Sequence, residues 1–292
     1  MIIGISGKIG SGKDTVGDII KYLTMDEVVR EEWLEMQGGN EKELVLNLPS
    51  NITEHTNWEV KKFADKLKDI VCMLIGCTRE QLENREYKEA PLGPEWDRWG
   101  FRTFYLGKDE VGKIEDHGLY MTKEEAIKKE KNMRISMSWA KTLESKFEKV
   151  QMTPRLMLQL LGTNCGRDII HPNIWVNSLM ADYKSIAYHV PNSKEGAIYD
   201  AHNSAMDIDP EFENIYPNWL ITDTRFPNEA EAVLNKKGLL IRVNRGDGKT
   251  GTHPSETALD DYRNWDYVID NNGTIEDLVK EIKRILKREK LL

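Results

Sequence analysis

The stretch GISGKIGSGKDT, from Gly4 to Thr15, decides the fold class. The apolar run IIGIS overlaps its start, and the residues after it repeat apolar side chains at helical spacing. This order of strand, glycine-rich turn and helix is typical of a phosphate-binding loop, in which backbone N–H groups at the helix start hold phosphates. Lys13 would then reach the bridge between the β- and γ-phosphates. A glycine-rich turn without a ligand is the alternative.

Asp14 stands where such a loop usually has Ser or Thr, whose hydroxyl binds Mg²⁺. A carboxylate binds this hard cation more strongly, either directly or through a retained water. Negative charge is also favourable at a helix N-terminus, so Asp14 could instead only cap the helix, with Thr15 supplying the hydroxyl. The sequence leaves both interpretations open.

A second acidic residue follows the apolar run WLIT. The segments WLITD and LLIRV flank a helical pattern, PNEAEAVLNKK, which Gly238 would end, and this order predicts a βαβ unit in a parallel sheet. Ligands gather at the carboxyl ends of parallel strands, so Asp223 would be a second Mg²⁺ partner near Lys13 if its strand neighbours the first. Arg225 suits a phosphate bidentately, or is only a solvated surface group.

The remaining segments predict helices and long connections. One helix is expected to begin after Thr153 and to end at Gly162, and another covers residues 172–190. Residues 91–122 have no clear period and are followed by a charged helix, so we interpret this part as an insertion. Residues 191–217 are polar and aperiodic, which suggests a long surface excursion.

Composition restricts the class of protein. With 292 residues and 39% hydrophobic content, the chain can bury a sizeable core. It has no run of about 18 apolar residues and no signal-peptide pattern, so we expect a cytoplasmic protein without a membrane partner. The net charge of -8 opposes stable nucleic-acid binding. Cys72, Cys77 and Cys165 cannot all pair and lack the ligand set of a zinc site, so buried thiols are expected.

Seven stretches across most of the chain resemble the phage deoxynucleoside monophosphate kinases and, more distantly, phosphomevalonate kinase among the P-loop kinases. They are SGKIGSGKDT, FADKLK, REYKE, PRLMLQLLGTNCGRDIIHPNIWV, ITDTRFPNEAEAV, THPSETALDDY and DYVIDNNGTIEDL. The resemblance implies a three-layer α/β P-loop fold like that of nucleoside monophosphate kinases, with a parallel central sheet and helical insertions. It implies one domain over residues 1–292, with an acceptor-binding helical insertion at about 64–187 and a lid at about 244–256.

The resemblance also implies roles on the donor side of the site. ATP would be bound by Gly7, Lys8, Ile9, Gly10, Ser11, Gly12, Lys13, Asp14 and Thr15. Mg²⁺ would be held by Asp14 and Asp223. Arg245 resembles part of the mobile lid, and Asn272 resembles part of the region beside the donor adenine.

On the acceptor side, the resemblance implies a group of cations that hold the phosphate of the nucleotide. They are Lys66, Lys88, Arg155, Arg167 and Arg225. Lys13, Asp223, Arg167 and Arg225 would carry the reaction. For Lys88, Arg155 and Arg167, an ordinary surface charge is the alternative.

The implied reaction transfers the γ-phosphoryl group of ATP to a deoxynucleoside monophosphate (dNMP), giving the diphosphate and ADP. The expected partner is this nucleotide, in the host cytoplasm if the gene is a phage gene, and a homodimer is compatible with the sequence. One alternative is a P-loop kinase for another phosphorylated small molecule, such as phosphomevalonate or dephospho-coenzyme A. The other is a nucleotide-switched binding or motor module.

Overall fold

The computed structural model describes residues 1–106, 112–136, 141–189, 198–200, 213–246 and 257–292. The chain divides into two compact units. The first, which we call the sheet unit, combines residues 1–66 with residues 171–292. The second, which we call the inserted unit, contains residues 67–170. The single domain with an insertion at about 64–187 and a lid stays a prediction, and residues 247–256 of that lid lie outside the described residues.

The described residues form both strands and helices. In chain order, the strands are β1 (Ile2–Gly7), β2 (Trp58–Lys61), β3 (Arg98–Leu106), β4 (Gly112–Tyr120), β5 (Lys141–Val150), β6 (Ala187–His189), β7 (Ile198–Asp200), β8 (Glu213–Ile215), β9 (Asn218–Ile221), β10 (Leu239–Asn244) and β11 (Tyr267–Asp270). The α-helices are α1 (Lys13–Thr24), α2 (Glu27–Met36), α3 (Glu41–Leu46), α4 (Asp65–Ile75), α5 (Arg79–Glu83), α6 (Arg85–Glu89), α7 (Lys123–Ser136), α8 (Pro154–Gln159), α9 (Ile174–Met180), α10 (Pro227–Asn235) and α11 (Ile275–Arg288). A 3₁₀ turn covers Ser50–Glu54, and a π-helix covers Leu160–Ile170.

The sheet unit is built on five parallel strands in the order β11-β10-β1-β9-β2. β1 lies at the centre, between β9 and β10. The carboxyl ends of these three strands therefore lie side by side, at the place where the direction of strand addition reverses and where such sheets bind ligands. The predicted parallel sheet is confirmed. The strand of WLITD lies next to the first strand, which is the condition that the role of Asp223 required.

Helices cover both faces of this sheet. Successive side chains of a strand point to opposite faces, so neighbouring residues of β1 enter different cores. Ile3 and Ile5 pack in a cluster with residues of α1 and α11, whereas Ile2 packs in a second cluster with residues of α9 and α10. The fully buried Ile19 and Ile20 show that α1 presents the apolar face that its sequence predicts.

The helix expected to end at Gly162 continues past it. α8 begins as predicted, because the Thr153 hydroxyl accepts a hydrogen bond from the N–H of Leu156 at 3.2 Å. The chain then runs on as the π-helix, and Gly162 is buried inside it. A β-carbon at Gly162 would lie 2.8 Å from a methyl of Leu67. This glycine permits a close packing contact, so the prediction of a helix end was wrong.

Two other segments differ from what the sequence predicted. Within the insertion, β3 pairs with β4 and β5 in an antiparallel sheet, where the sequence showed no clear period. Phe101 and Thr103 alternate as buried residues in β3, and the aromatic content of this run is the signal that favours a strand. Residues 172–189 contain a short helix, α9, and then β6, so the prediction of one continuous helix was wrong, and residue 190 lies outside the described residues.

The cysteines differ from expectation as well. Cys72, Cys77 and Cys165 are free and only partly buried, so the prediction of buried thiols was wrong. Cys72 lies in the last turn of α4, and Cys77 follows the exposed Gly76 that ends this helix. A helix end at the surface leaves its last side chains partly in solvent.

Gly238 supports a prediction about stability. The left-handed backbone after α10 falls on Lys237, with a φ of 54°, so Gly238 does not supply it. A β-carbon at Gly238 would lie 2.7 Å from the carbonyl oxygen of Ile2 and 2.9 Å from that of Val233. Since backbone atoms cannot move aside, Gly238→Ala is expected to lower the free energy of unfolding by about 1–3 kcal/mol. Urea denaturation followed by circular dichroism measures this change.

The matched control is Lys236→Ala, two residues earlier at an exposed position. Its free energy of unfolding should stay within about 0.5 kcal/mol of the parent value. Equal stability of the two variants would contradict the close approach at Gly238.

Candidate functional site

The glycine-rich loop joins β1 to α1 at the carboxyl edge of the sheet. Gly10 and Gly12 have φ values of 78° and 93°, which only glycine adopts readily. A β-carbon at Gly7 would lie 2.7 Å from the carbonyl oxygen of Val243. The loop turns tightly, with the N–H of Ser11 donating to the carbonyl of Lys8 at 3.1 Å. The glycines that the motif predicts are therefore the ones that this backbone requires.

Asn271 braces the loop from the end of β11. Its side-chain amide donates to the carbonyl of Ser11 at 2.8 Å, and its backbone N–H donates to the carbonyl of Asn244 at 2.7 Å. A β-carbon at Gly12 would lie 2.4 Å from the Asn271 amide nitrogen. The next residue, Asn272, accepts a hydrogen bond from the N–H of Gly246 at 2.6 Å. Asn272 thus contacts Gly246, the residue after Arg245. The roles of Arg245 and Asn272 stay predictions, and the bracing role of Asn271 was not predicted.

Lys8 has an acidic partner that the sequence did not predict. Its ammonium lies 3.2 Å from one carboxylate oxygen of Asp260, and the guanidinium of Arg242 lies 3.5 Å from the other. Arg242 also donates to the hydroxyl of Ser6 at 3.0 Å. Burial lowers the pKa of Arg242, and the charge of Asp260 opposes this change. The carboxylate of Asp260 therefore links Lys8 of the loop to Arg242, a half-buried cation beside β1.

Asp14 lies in the first turn of α1 and turns its carboxylate to the end of β9. The Thr222 hydroxyl donates to it at 2.9 Å, and the Lys62 ammonium lies 3.7 Å from the same oxygen. Gly12 is the N-cap residue of α1, and no side chain caps this helix. Asp14 is thus not the N-cap residue itself, although its charge lies in the first turn of the helix. Its side chain is 67% exposed, so the carboxylate is accessible to a ligand.

Asp223 fastens the connection between β2 and α4 to the end of β9. Its two carboxylate oxygens accept hydrogen bonds from the N–H groups of Phe63, at 2.9 Å, and Ala64, at 3.2 Å. Desolvation raises the pKa of Asp223, although the residue is still partly exposed, and these two hydrogen bonds and the charge of Arg225 oppose the rise. Asp223 thus positions the backbone of Phe63 and Ala64. A role in metal binding stays a prediction.

Arg225 is held at the start of α10 by a buried acid. The N–H groups of Arg225 and Phe226 both donate to one carboxylate oxygen of Glu229, at 2.7 Å and 3.1 Å. Glu229 is 2% exposed. Since the positive charge of Arg225 acts on Asp223, the two predicted site residues that follow β9 lie in one electrostatic environment.

Lys66 contacts the end of α9. Its ammonium donates to the carbonyl of Ser178 at 2.6 Å and lies 2.8 Å from the carboxylate of Asp182. A phosphate-binding role for Lys66 stays a prediction, and the ion pair with Asp182 shows a structural task for the same ammonium.

The other acceptor-side cations lie in the inserted unit. Lys88 is 3.0 Å from a carboxylate oxygen of Glu83, and Arg155 is 2.5 Å from one of Glu89. Burial alone would raise the pKa of Glu83, but hydrogen bonds and charges from Lys68 and Lys88 lower it to about 2. Arg167 lies in the π-helix. Phosphate binding by Lys88, Arg155 and Arg167 stays a prediction.

The part of the chain that the structure describes contains no ready-made cluster of metal ligands. In the described ranges, no group of three or more His, Cys, Asp or Glu side chains could hold a metal ion. None of the helices in the part of the chain that the structure describes is both long and apolar enough to cross a membrane.

The fold and the loop together define a class: a parallel α/β protein with helices on both faces and a glycine-rich loop at the carboxyl edge of its central strand. A family model described as deoxynucleotide monophosphate kinase matches residues 103–282, which is more than half of the chain. The chain belongs to the deoxynucleotide monophosphate kinase family, a family of phosphotransferases. The resemblance noted from the sequence is thereby confirmed.

Three viral proteins are similar to this chain. A putative deoxynucleotide monophosphate kinase of Acanthamoeba polyphaga mimivirus is 33% identical over 131 residues, which cover 44% of this chain and 59% of that protein. The deoxynucleoside-5'-monophosphate kinase of Escherichia phage T5 is 25% identical over 278 residues, 89% of this chain and 85% of that protein. The deoxynucleotide monophosphate kinase of Enterobacteria phage T4 is 34% identical over 84 residues, 28% of this chain and 34% of that protein.

Proposed function

We propose that this chain is a P-loop kinase that transfers the γ-phosphoryl group of ATP to a dNMP, giving the diphosphate and ADP. The observation that carries the proposal is the family match over residues 103–282. The three relatives bear the names of kinases for deoxynucleoside or deoxynucleotide monophosphates. The glycine-rich loop lies outside this match and supports the proposal independently.

The loop suits the donor triphosphate. Residues Gly7 to Gly12 end at the N-terminus of α1, where the N–H groups of the first helical turn and the helix dipole favour an anion. Lys13 begins α1 and would bind the β- and γ-phosphates. Lys8 would donate to phosphate as well, because an ammonium has three N–H donors and Asp260 needs one of them.

A magnesium ion fits the acidic residues beside this loop. Asp14 offers an exposed carboxylate in the first turn of α1 and Thr15 offers a hydroxyl, while Asp223 follows the adjacent strand. Bound there, the ion would neutralise negative charge on the triphosphate. The chain would contribute the orientation of these oxygens, which Thr222 provides for Asp14 and the backbone of Phe63 and Ala64 provides for Asp223.

The acceptor needs cations more than it needs a base. A monophosphate has a second pKa of about 6, so its attacking oxygen is already largely ionised near neutral pH. The reaction then depends on bringing two anions into line and on compensating the charge that spreads over the transferred group. Arg225 would bind the acceptor phosphate, with Lys66, Lys88, Arg155 and Arg167 as further cations.

A panel of acceptors tests the proposed function. ADP release would be measured with ATP and Mg²⁺ plus dAMP, dTMP, dGMP, dCMP or a 5-hydroxymethylated pyrimidine nucleotide, and separately with phosphomevalonate or dephospho-coenzyme A. We expect turnover that requires at least one dNMP. Turnover with phosphomevalonate or dephospho-coenzyme A and with no dNMP would replace the substrate class. ATP turnover that depends on a macromolecule would favour a nucleotide-switched module.

Asp14→Asn tests the acidic donor ligand. The amide keeps the shape of the side chain and removes its charge, so the Mg²⁺ concentration for half-maximal activity is expected to rise about tenfold or more. A Mg²⁺ titration at saturating ATP and dNMP measures this. Asp18→Asn, one turn further along α1 in an ion pair with Lys21, is the control and should leave the Mg²⁺ dependence unchanged. An unchanged Mg²⁺ dependence in Asp14→Asn would remove Asp14 from the metal site.

The expectations of a cytoplasmic location, of a homodimer and of no stable nucleic-acid partner stay predictions. Membership of the family does not specify the location, the oligomeric state or the binding of nucleic acid.

A further inference from the structure

The cysteine pair at the end of α4 lies outside the proposed site. The thiol sulfurs of Cys72 and Cys77 are 3.7 Å apart. Both residues are partly exposed and free. The third cysteine, Cys165, is also free and partly exposed, and it lies in the π-helix of the same unit.

The local backbone causes this juxtaposition. The N–H of Cys77 donates to the carbonyl of Cys72 at 3.1 Å, and Gly76 between them has a φ of 67°. This six-to-one hydrogen bond after a left-handed glycine is a Schellman motif, in which the side chains of the first and last residues usually make a hydrophobic contact. Here both of those residues are cysteines. The sequence CMLIGC is therefore folded so that two thiols meet without any contribution from distant segments.

We propose that Cys72 and Cys77 form a dithiol modification site that low-molecular-weight disulfides oxidise to an intramolecular disulfide. The sulfurs need to approach from 3.7 Å to about 2.05 Å, and the backbone hydrogen bond keeps the two α-carbons close while the side chains rotate. A deprotonated thiol of the pair attacks the small disulfide and releases one thiolate. The second thiol of the pair then loses its proton, displaces the other thiolate and closes the new S–S bond. Two electrons and two protons pass to the small disulfide, which leaves as two thiols.

The surroundings affect the rate of this reaction and the helix next to it. Burial raises the pKa of the Cys72 thiol. The neighbouring Cys77 and Asp69 raise this pKa further, whereas the charge of Arg79 opposes the rise. Oxidation near neutral pH is therefore expected to be slow, because the thiolate is the nucleophile. The hydroxyl of Tyr87 in α6 hydrogen-bonds the Cys77 thiol, so closing the disulfide alters a contact of that helix.

The test uses the full chain and glutathione disulfide. Reduced protein is incubated at pH 8.5 with mixtures of reduced and oxidised glutathione, free thiols are alkylated, and tryptic peptides are weighed. Both cysteines of the pair lie in one peptide, Asp69 to Arg79, and Cys165 lies in another, Leu156 to Arg167. We expect the first peptide to lose two hydrogens and to take up no alkyl groups, while Cys165 stays alkylated or carries glutathione.

Three variants give the matched controls. Cys165→Ser should keep the cross-link, whereas Cys72→Ser and Cys77→Ser should lose it and carry glutathione on the remaining cysteine. The parent protein alone decides the proposal, so a variant that fails to fold does not weaken the test. If Cys72 and Cys77 are alkylated, or carry glutathione separately, to the same extent as Cys165 at every ratio of oxidised to reduced glutathione, the proposal is overturned.

Discussion

Replacing Lys13 with alanine is expected to lower kcat/KM for dNMP phosphorylation about a thousandfold, or about 4 kcal/mol of transition-state stabilisation. Lys13 begins α1 directly after the left-handed Gly12, where the loop meets the helix N-terminus. Its ammonium would neutralise charge on the group being transferred, and this charge develops mainly in the transition state. The loss should therefore fall more on kcat than on the KM for ATP. Steady-state kinetics with ATP and dNMP varied in turn measure both constants.

Lys280→Ala is the matched control for this variant. Lys280 lies on α11 with a side chain that is 78% exposed, and its removal should change kcat/KM less than about twofold. Thermal melting of both variants shows whether the fold is intact. A Lys13→Ala enzyme that is folded and retains kcat/KM within about threefold of the parent would rule out the proposed donor site.

Replacing Arg225 with alanine is expected to have the second-largest effect, a fall of about a hundredfold in kcat/KM for the dNMP. The guanidinium fork suits a phosphate, and an alanine cannot replace it. The backbone N–H of Arg225 donates to Glu229, and this bond survives the substitution. The KM for the dNMP should rise and the KM for ATP should stay nearly constant, because the proposed contact is with the acceptor. Arg225→Lys should recover part of the loss, since it restores the charge without the fork.

Arg284→Ala provides the control, because Arg284 is exposed on α11 and pairs with Glu281. It should leave both KM values unchanged. A near-normal KM and kcat for the dNMP in Arg225→Ala would place this arginine outside the acceptor site.

The parallel sheet and the loop are predictable because local patterns specify them. A short apolar strand, two glycines at left-handed positions and an amphipathic helix follow one another within 24 residues, from Met1 to Thr24. The βαβ unit after Asn218 is equally local, so its parallel pairing follows from chain order. The sequence did not establish that the strand of WLITD lies beside β1. The structure shows this pairing.

The loop's supporting contacts are not predictable in the same way, because their partners are far apart in sequence. Asp260 meets Lys8 across 252 residues, and Asn271 meets Ser11 across 260. A single sequence contains no signal for such a pairing. The contact of Lys66 with Asp182 is equally unpredictable from the sequence, since it depends on how α9 packs.

The prediction that a helix ends at Gly162 was wrong for a different physical reason. A glycine is favoured both where a helix ends and where another side chain approaches the backbone closely, and the sequence pattern is identical in the two cases. Only the nearby Leu67 shows that the second case applies. The strands of the inserted unit were missed because period-2 alternation is weak in them, although their aromatic residues favoured a sheet.

The destination of the γ-phosphoryl group tests the central claim most directly. The chain would be incubated with Mg²⁺, ATP labelled in its γ-phosphate and the best dNMP of the panel, and the products would be separated by chromatography. The account predicts that the label appears in the β-phosphate of the deoxynucleoside diphosphate, and only when the dNMP is present. Label released as inorganic phosphate at the same rate with and without a dNMP would contradict it.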